Sequence, residues 1–134
     1  MGMDAGSPGA PLGSVDEVIM VVDDDPMVRS VAVEYLQELG YSVLQADSAR
    51  GALATLQAGQ AVSLILTDVV MPDMTGRQLS DAAVAVNPAI KVVYCSGFGQ
   101  TAVVHNLLGQ DAAFLSKPYT RQQIASLVRL TLDH

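Results

Sequence analysis

The chain has 134 residues, half of them hydrophobic, a length that fills one domain with a sizeable core and falls short of two ordinary ones. Fourteen acidic against seven basic residues leave a net charge of −7, which argues against a nucleic-acid backbone or an anionic membrane as direct partner and favours a protein or a small cation. The lone cysteine, Cys95, excludes an intrachain disulfide framework, and no apolar run approaches the roughly eighteen residues that span a bilayer, so a soluble chain in a reducing cytoplasm is expected.

Residues 1–14 are rich in Gly, Ala, Pro and Ser and lack a signal-peptide pattern; they are expected to be a flexible leader or remnant outside a domain of residues 15–134. From Val18 onward short apolar runs alternate with longer amphipathic stretches, the mark of a parallel sheet covered by helices on both faces.

The first strand is expected at Val18 to Val22. A helix follows from Pro26, with Asp25 as its cap, and ends before Gly40; Val28, Val31, Ala32, Tyr35, Leu36 and Leu39 give it a sheet-facing stripe. The second strand is expected at Ser42 to Ala46, then a helix capped by Ser48 and running to about Ala58, ahead of Gly59. The third strand, Leu64 to Thr67, leads to a helix from about Gly76 to Val86, stopped by Asn87-Pro88. After a fourth strand at Val92 to Cys95, a helix between Gly99 and Leu108 carries poor helix formers and glycines at its start, which predicts a mobile element. The fifth strand is expected at Ala112 to Leu115. Thr120 and Gln123 then form a capping box before the apolar stripe Ile124, Leu127 and Val128 of the last helix.

In an open parallel sheet chemistry collects outside the carboxyl ends of the strands. Strand one delivers Asp23, Asp24 and Asp25 there, strand three Asp68, strand four Ser96, and strand five leads to Lys117-Pro118. Carboxylates crowded at one sheet edge repel one another and imply a cation or proton that makes the arrangement tolerable. Singly, each has a bland role: Asp25 a helix cap, Ser96 a turn residue, Lys117 a solvated charge. His105 and His134 have no partner at metal-ligand spacing and are expected at the surface.

Val-Val-Asp-Asp-Asp-Pro, Leu-Thr-Asp-Val-Val-Met-Pro-Asp-Met-Thr-Gly, Tyr-Cys-Ser-Gly and Phe-Leu-Ser-Lys-Pro occur in that order at strand ends. Over about Val18 to Leu132 the chain resembles the receiver domain of two-component response regulators. The resemblance implies an α/β, flavodoxin-like (βα)5 fold with a five-stranded parallel sheet in the order 2-1-3-4-5. It implies Asp68 as phospho-acceptor, Asp23 and Asp24 as the acidic pair, Ser96 as a switch hydroxyl and Lys117 as the contact to the phosphoryl group. Mg²⁺ would be held by Asp24, Asp68 and the backbone carbonyl of Val70, with Asp23 acting largely through a bound water. No organic cofactor is implied, and the Lys117-Pro118 bond is cis in the resembled family.

The implied partner is a histidine kinase or a histidine phosphotransfer protein, with no nucleic acid or membrane contact by this domain. Phosphorylation would pull the Ser96-Gly97-Phe98-Gly99 loop inward and let Phe114, three residues before Lys117, move into the vacated space; a plain core-edge phenylalanine is the other reading of Phe114. The surface that transmits the change would combine the helix between Gly99 and Leu108, the fifth strand and the last helix. Apolar Val70 and Phe114 without a hydroxyl depart from the chemotaxis-type pattern and bear on phosphate lifetime. Ser96-Gly97-Phe98 and Lys117-Pro118-Tyr119-Thr120 are also similar to receivers of hybrid sensor histidine kinases; a stand-alone regulator is the alternative. No DNA-binding segment follows Leu132, so no transcriptional output is expected on this chain.

Two other classes fit these residues less well. A haloacid-dehalogenase-like phosphatase would need a second acid two residues after the nucleophile, where Val70 stands. A binding-only pseudo-receiver is disfavoured by the intact Asp24, Asp68, Ser96 and Lys117. The expectation is therefore a signalling domain and no enzyme, beyond supporting its own phosphorylation and dephosphorylation.

Overall fold

The computed structural model describes residues 11–97 and 113–133. Within them five strands form one parallel sheet: β1 (Val18–Val22), β2 (Ser42–Ala46), β3 (Leu64–Asp68), β4 (Lys91–Ser96) and β5 (Phe114–Ser116). Their order is β2-β1-β3-β4-β5, the flavodoxin-like arrangement implied by the sequence resemblance. The helices are α1 (Pro26–Glu38), α2 (Ala49–Gln57), α3 (Gly76–Val86) and α4 (Arg121–Leu132). The expected helix between Gly99 and Leu108 lies outside the described residues, as do Phe98, Ala112, His105 and His134.

Strand side chains alternate between two packed layers. Ile19 and Val21 of β1, with Leu64, Leu66, Val93 and Leu115, join Ala32, Val33 and Leu36 of α1 and Ile124, Ala125 and Val128 of α4. Met20 and Val22, with Ile65, face the other way onto Ala49, Ala52 and Leu56 of α2 and Leu79 and Ala83 of α3. Strands buried on both faces need no polar alternation, which is why they appear in the sequence as continuous apolar runs. Among the described residues no helix is long and apolar enough to cross a membrane.

Local signals stop and start the helices as their chemistry requires. The Asp25 carboxylate accepts from the Met27 and Val28 amides, and Thr75 and Thr120 each head a complete capping box. At the end of α1, Tyr41 N donates to Leu36 O and Gly40 N to Gln37 O, a Schellman closure that holds Gly40 at φ 102°. Gly13 N donates to Leu39 O, and a side chain at Gly13 would collide with the Tyr41 ring, so contacts with the domain begin within the expected leader.

Three strand ends differ from expectation. β3 includes Asp68, β4 runs on to Ser96, and β5 ends one residue later than expected, at Ser116, because the ladder pairs Asp68 with Cys95 and Ser96 with Ser116. The apolar runs stop short of these polar residues, so hydrophobic pattern alone truncates the strands where function begins.

Candidate acidic site at the strand ends

β1 delivers Asp23 and Asp24, β3 delivers Asp68, and the turn after β5 delivers Lys117, all to the same sheet edge. Asp23 is only 5% exposed, whereas Asp24 faces solvent. One carboxylate oxygen of each of Asp23, Asp24 and Asp68 lies within 4.8 Å of the others. Lys117 Nζ donates to Asp23 Oδ2 at 3.0 Å and to Asp68 Oδ2 at 3.1 Å. Two of the three clustered carboxylates thus share one ammonium.

Asp23 is held on all sides. Its Oδ1 accepts from Asp25 N at 2.9 Å, and its backbone carbonyl accepts from Arg29 Nη1 at 2.7 Å. The second contact is not readable from β1 alone; it depends on α1 turning Arg29 back over the strand end. Gly76 opens α3 directly behind Asp68, and an added Cβ would lie 2.5 Å from Asp68 O. Thr67, buried beneath, donates to that same carbonyl at 3.1 Å.

The electrostatics follow from partial burial. Burial pushes the Asp68 carboxyl above its ordinary value; Lys117 pulls it back and the charge of Asp23 adds to the rise. For Lys117 burial disfavours the ammonium, but the hydrogen bond to Asp23 and the attraction of Asp68 outweigh it, and its pKa lies above the usual lysine value. Cys95, paired with Asp68 in the ladder, is buried and its thiol is pushed far up, so it behaves as the small hydrophobe expected of it.

Ser96 is 1% exposed at the end of β4, and its carbonyl accepts from Lys117 N at 2.8 Å, so the backbone ties it to the lysine. The Lys117–Pro118 peptide is cis. Phe114 stands opposite Tyr94 in the ladder and packs against the cluster of Val69 and Tyr94. Val70 carries an exposed side chain and forms an isolated bridge with Thr75. Asp25 serves as the cap of α1.

Sequence reading missed two supports of this edge. Arg29 on the Asp23 carbonyl is one; the other is Asp73, whose carboxylate accepts from the Ala49 and Arg50 amides of α2 at 3.4 and 2.9 Å. The only advance signal for the second was an acid in a Pro-containing loop beside a helix with no acid in its first turn.

Carboxylate oxygens alone make up the clustered donor set, which is the hard-ligand chemistry of Mg²⁺ or Ca²⁺ rather than of a thiophilic metal. The residues therefore fit a hard divalent cation.

Residues 19–129 match the family model described as the response regulator receiver domain. The chain is 34% identical over 117 residues to sensor kinase CckA of Brucella abortus, covering 86% of this chain and 12% of that protein. It is 32% identical over 115 residues to the response regulator receiver protein CpdR of the same organism, covering 85% of this chain and 95% of that one. It thus spans a small part of the first relative and nearly all of the second. In fold it is similar to the crystal structure of a response regulator receiver domain protein from Clostridium thermocellum, with a TM-score of 0.78 over 87% of this chain and 94% of that one at 22% identity.

Proposed function

We propose, given that the chain belongs to the response regulator receiver domain family, that Asp68 accepts a phosphoryl group from a phosphohistidine in a Mg²⁺-dependent reaction and thereby switches a partner-binding surface. Acceptance of a phosphoryl group is the general function of the family. The observation that carries the finer assignment is the single Lys117 ammonium bonded to both Asp23 and Asp68, with Asp24 in the same 4.8 Å group.

Attack by a carboxylate on a phosphoryl group brings two anions together, so the protein's task is positioning and charge neutralisation. Asp68 supplies the attacking oxygen. As its bond to phosphorus forms, the phosphorus–nitrogen bond of the donor breaks, the electron pair leaves with the imidazole, and the ring takes up a proton. Lys117 meets the developing charge from one side, and its tether to Asp23 keeps it from following Asp68 alone. Asp24, Asp68 and the Val70 carbonyl would hold Mg²⁺, with Asp23 acting largely through a bound water, and the ion would supply further positive charge there.

Ser96 and Phe114 are assigned as the switch. The Ser96 hydroxyl donates to one of the new phosphoryl oxygens, and the loop after β4 follows it. A protein donor suits the surroundings of Lys117. An apolar groove of about 380 Å³ lined by Val28, Val31, Pro118 and Tyr119 lies beside the lysine. The donor is a histidine kinase or phosphotransfer protein, the domain begins at about residue 15, and it acts in the cytoplasm. It turns over no separate substrate: Val70 stands where a phosphatase of the haloacid-dehalogenase kind needs its second acid.

Incubation with acetyl phosphate and Mg²⁺ followed by intact-mass measurement tests the assignment. Wild type is expected to gain one phosphoryl group and Asp68→Asn none. A wild-type chain left unmodified by acetyl phosphate and by a phosphorylated histidine kinase would remove Asp68 as acceptor.

A further inference from the structure

The loop from Val69 to Thr75 joins the proposed acceptor to α3, and it is pinned at both ends and at its tip. Val69 N donates to Cys95 O at 2.9 Å, Gly76 N returns to Val69 O at 2.7 Å, and Val70 bridges Thr75. Met71 is buried beneath, its sulfur 3.8 Å from the Thr67 hydroxyl oxygen. The tip reaches sideways to another helix. Asp73 takes the first two amides of α2, those of Ala49 and Arg50, while that helix's own cap, Ser48, accepts only from Gly51 at 3.0 Å. Helix α2 is therefore capped jointly by its own serine and by a residue of the neighbouring β3–α3 loop on the same face of the sheet.

We propose that Asp73 is a positioning residue for cation binding: by clamping the loop to α2 it fixes the main chain at Val70, whose carbonyl belongs to the ligand set proposed above. The proposal rests on that reading of Val70. Its physical basis is that a side-chain ligand can re-aim by rotamer whereas a main-chain carbonyl sits wherever its loop sits, so its position must be secured from outside the first ligand shell. The Arg50 amide, with that of Ala49, holds the Asp73 carboxyl below its ordinary value, so the clamp is charged and charge-assisted at neutral pH.

The test compares wild type, Asp73→Ala, Asp73→Asn and, as a cap removed from another helix, Thr120→Ala. Mg²⁺ dissociation constants are read by calorimetry and melting temperatures in metal-free buffer. Asp73→Ala is expected to weaken Mg²⁺ roughly tenfold, the size of effect seen when outer-shell support of a ligand is lost. Asp73→Asn, which keeps one acceptor oxygen, should fall between, and Thr120→Ala should lose stability with its Mg²⁺ constant unchanged. The Mg²⁺ concentration for half-maximal phosphorylation by acetyl phosphate should rise in step in Asp73→Ala, with the rate at saturating Mg²⁺ near that of wild type. A wild-type Mg²⁺ constant in Asp73→Ala, whatever its melting temperature, reduces Asp73 to a helix cap and overturns the proposal. Should the alanine variant not fold, a wild-type constant in Asp73→Asn does the same. Wild type that binds Mg²⁺ but takes no phosphoryl group sinks the acceptor assignment and leaves this test standing; wild type that binds no Mg²⁺ overturns both.

Discussion

Asp68 sits between water and the core, and its burial raises the pKa of a group that the proposed attack uses as an anion. The fold therefore favours its protonated form. That contribution to stability is complete below the unfolded value near 3.8 and is lost as pH rises through the higher folded value. In metal-free buffer Asp68→Asn should consequently melt above wild type at neutral pH, and the difference should close as pH falls into the acidic range, followed by circular dichroism. An equal or lower melting temperature at pH 7 would show that the bond to Lys117 outweighs burial. Lys117 follows the same sign in a higher window: its pKa is raised by its partners, so what it contributes is complete through neutrality and is lost only as pH rises through the folded value in alkali. Gly76 is the other residue with no room for change. Its Cβ would press on the Asp68 carbonyl and the Val69 Cα, both backbone, so Gly76→Ala should cost roughly 1–3 kcal/mol. The same variant should slow phosphorylation; an unaltered rate and denaturation midpoint would mean that α3 retreats freely.

Each helix is specified at its ends more than along its length. The capping boxes of α3 and α4 satisfy two orphan donors apiece, and Schellman closures at Gly40 and Gly59 end α1 and α2. Thr120→Ala should cost about 1 kcal/mol, read as a shift of the urea midpoint at constant slope. Ion pairs then tie elements together: Arg121 reaches Glu38 of α1, and Arg129 reaches both Glu17 and Asp133. These pairs are partly exposed and each is worth at most a fraction of what a cap is worth. The capping box of α4 was legible in advance because its residues are three apart; that of α3, Thr75 with Gln78, has the same spacing and emerged only in the structure. The Arg129–Glu17 pair was not, because its partners are separated by 112 residues and brought together only when the first strand and last helix pack.

For the molecule as a whole, the sheet order decides where charge accumulates. β1 lies between β2 and β3, so the acidic ends of β1 and β3 are neighbours, and Lys117 crosses from beyond β4 to reach both. Three carboxylates against one ammonium make the apo state electrostatically unfavourable, and a cation that binds only the folded form relieves it. Mg²⁺ at a hundred times its dissociation constant should stabilise the fold by about 2.7 kcal/mol, visible as a raised melting temperature. Asp24→Ala should lose most of that rise; retention of the full rise would remove Asp24 from the ligand set.

Hydrophobic runs, caps and the order of four motifs were sufficient to determine the fold class, most element boundaries and the residues Asp23, Asp24, Asp68, Ser96 and Lys117 as a group. The runs and caps are short-range signals, carried by neighbours within a helical turn or along one strand, whereas the sheet order and the grouping of the site residues came from the resemblance that four motifs spread along the chain carry. Tertiary structure alone decided the contacts: Lys117 on Asp23 and Asp68 across 94 and 49 residues, Arg29 on the Asp23 carbonyl, Gly76 against Asp68, and Asp73 on α2. Such contacts depend on strand register and on which helix end lies beside which loop. Those quantities are set by packing two side-chain layers onto one sheet, not by any local stretch of chain.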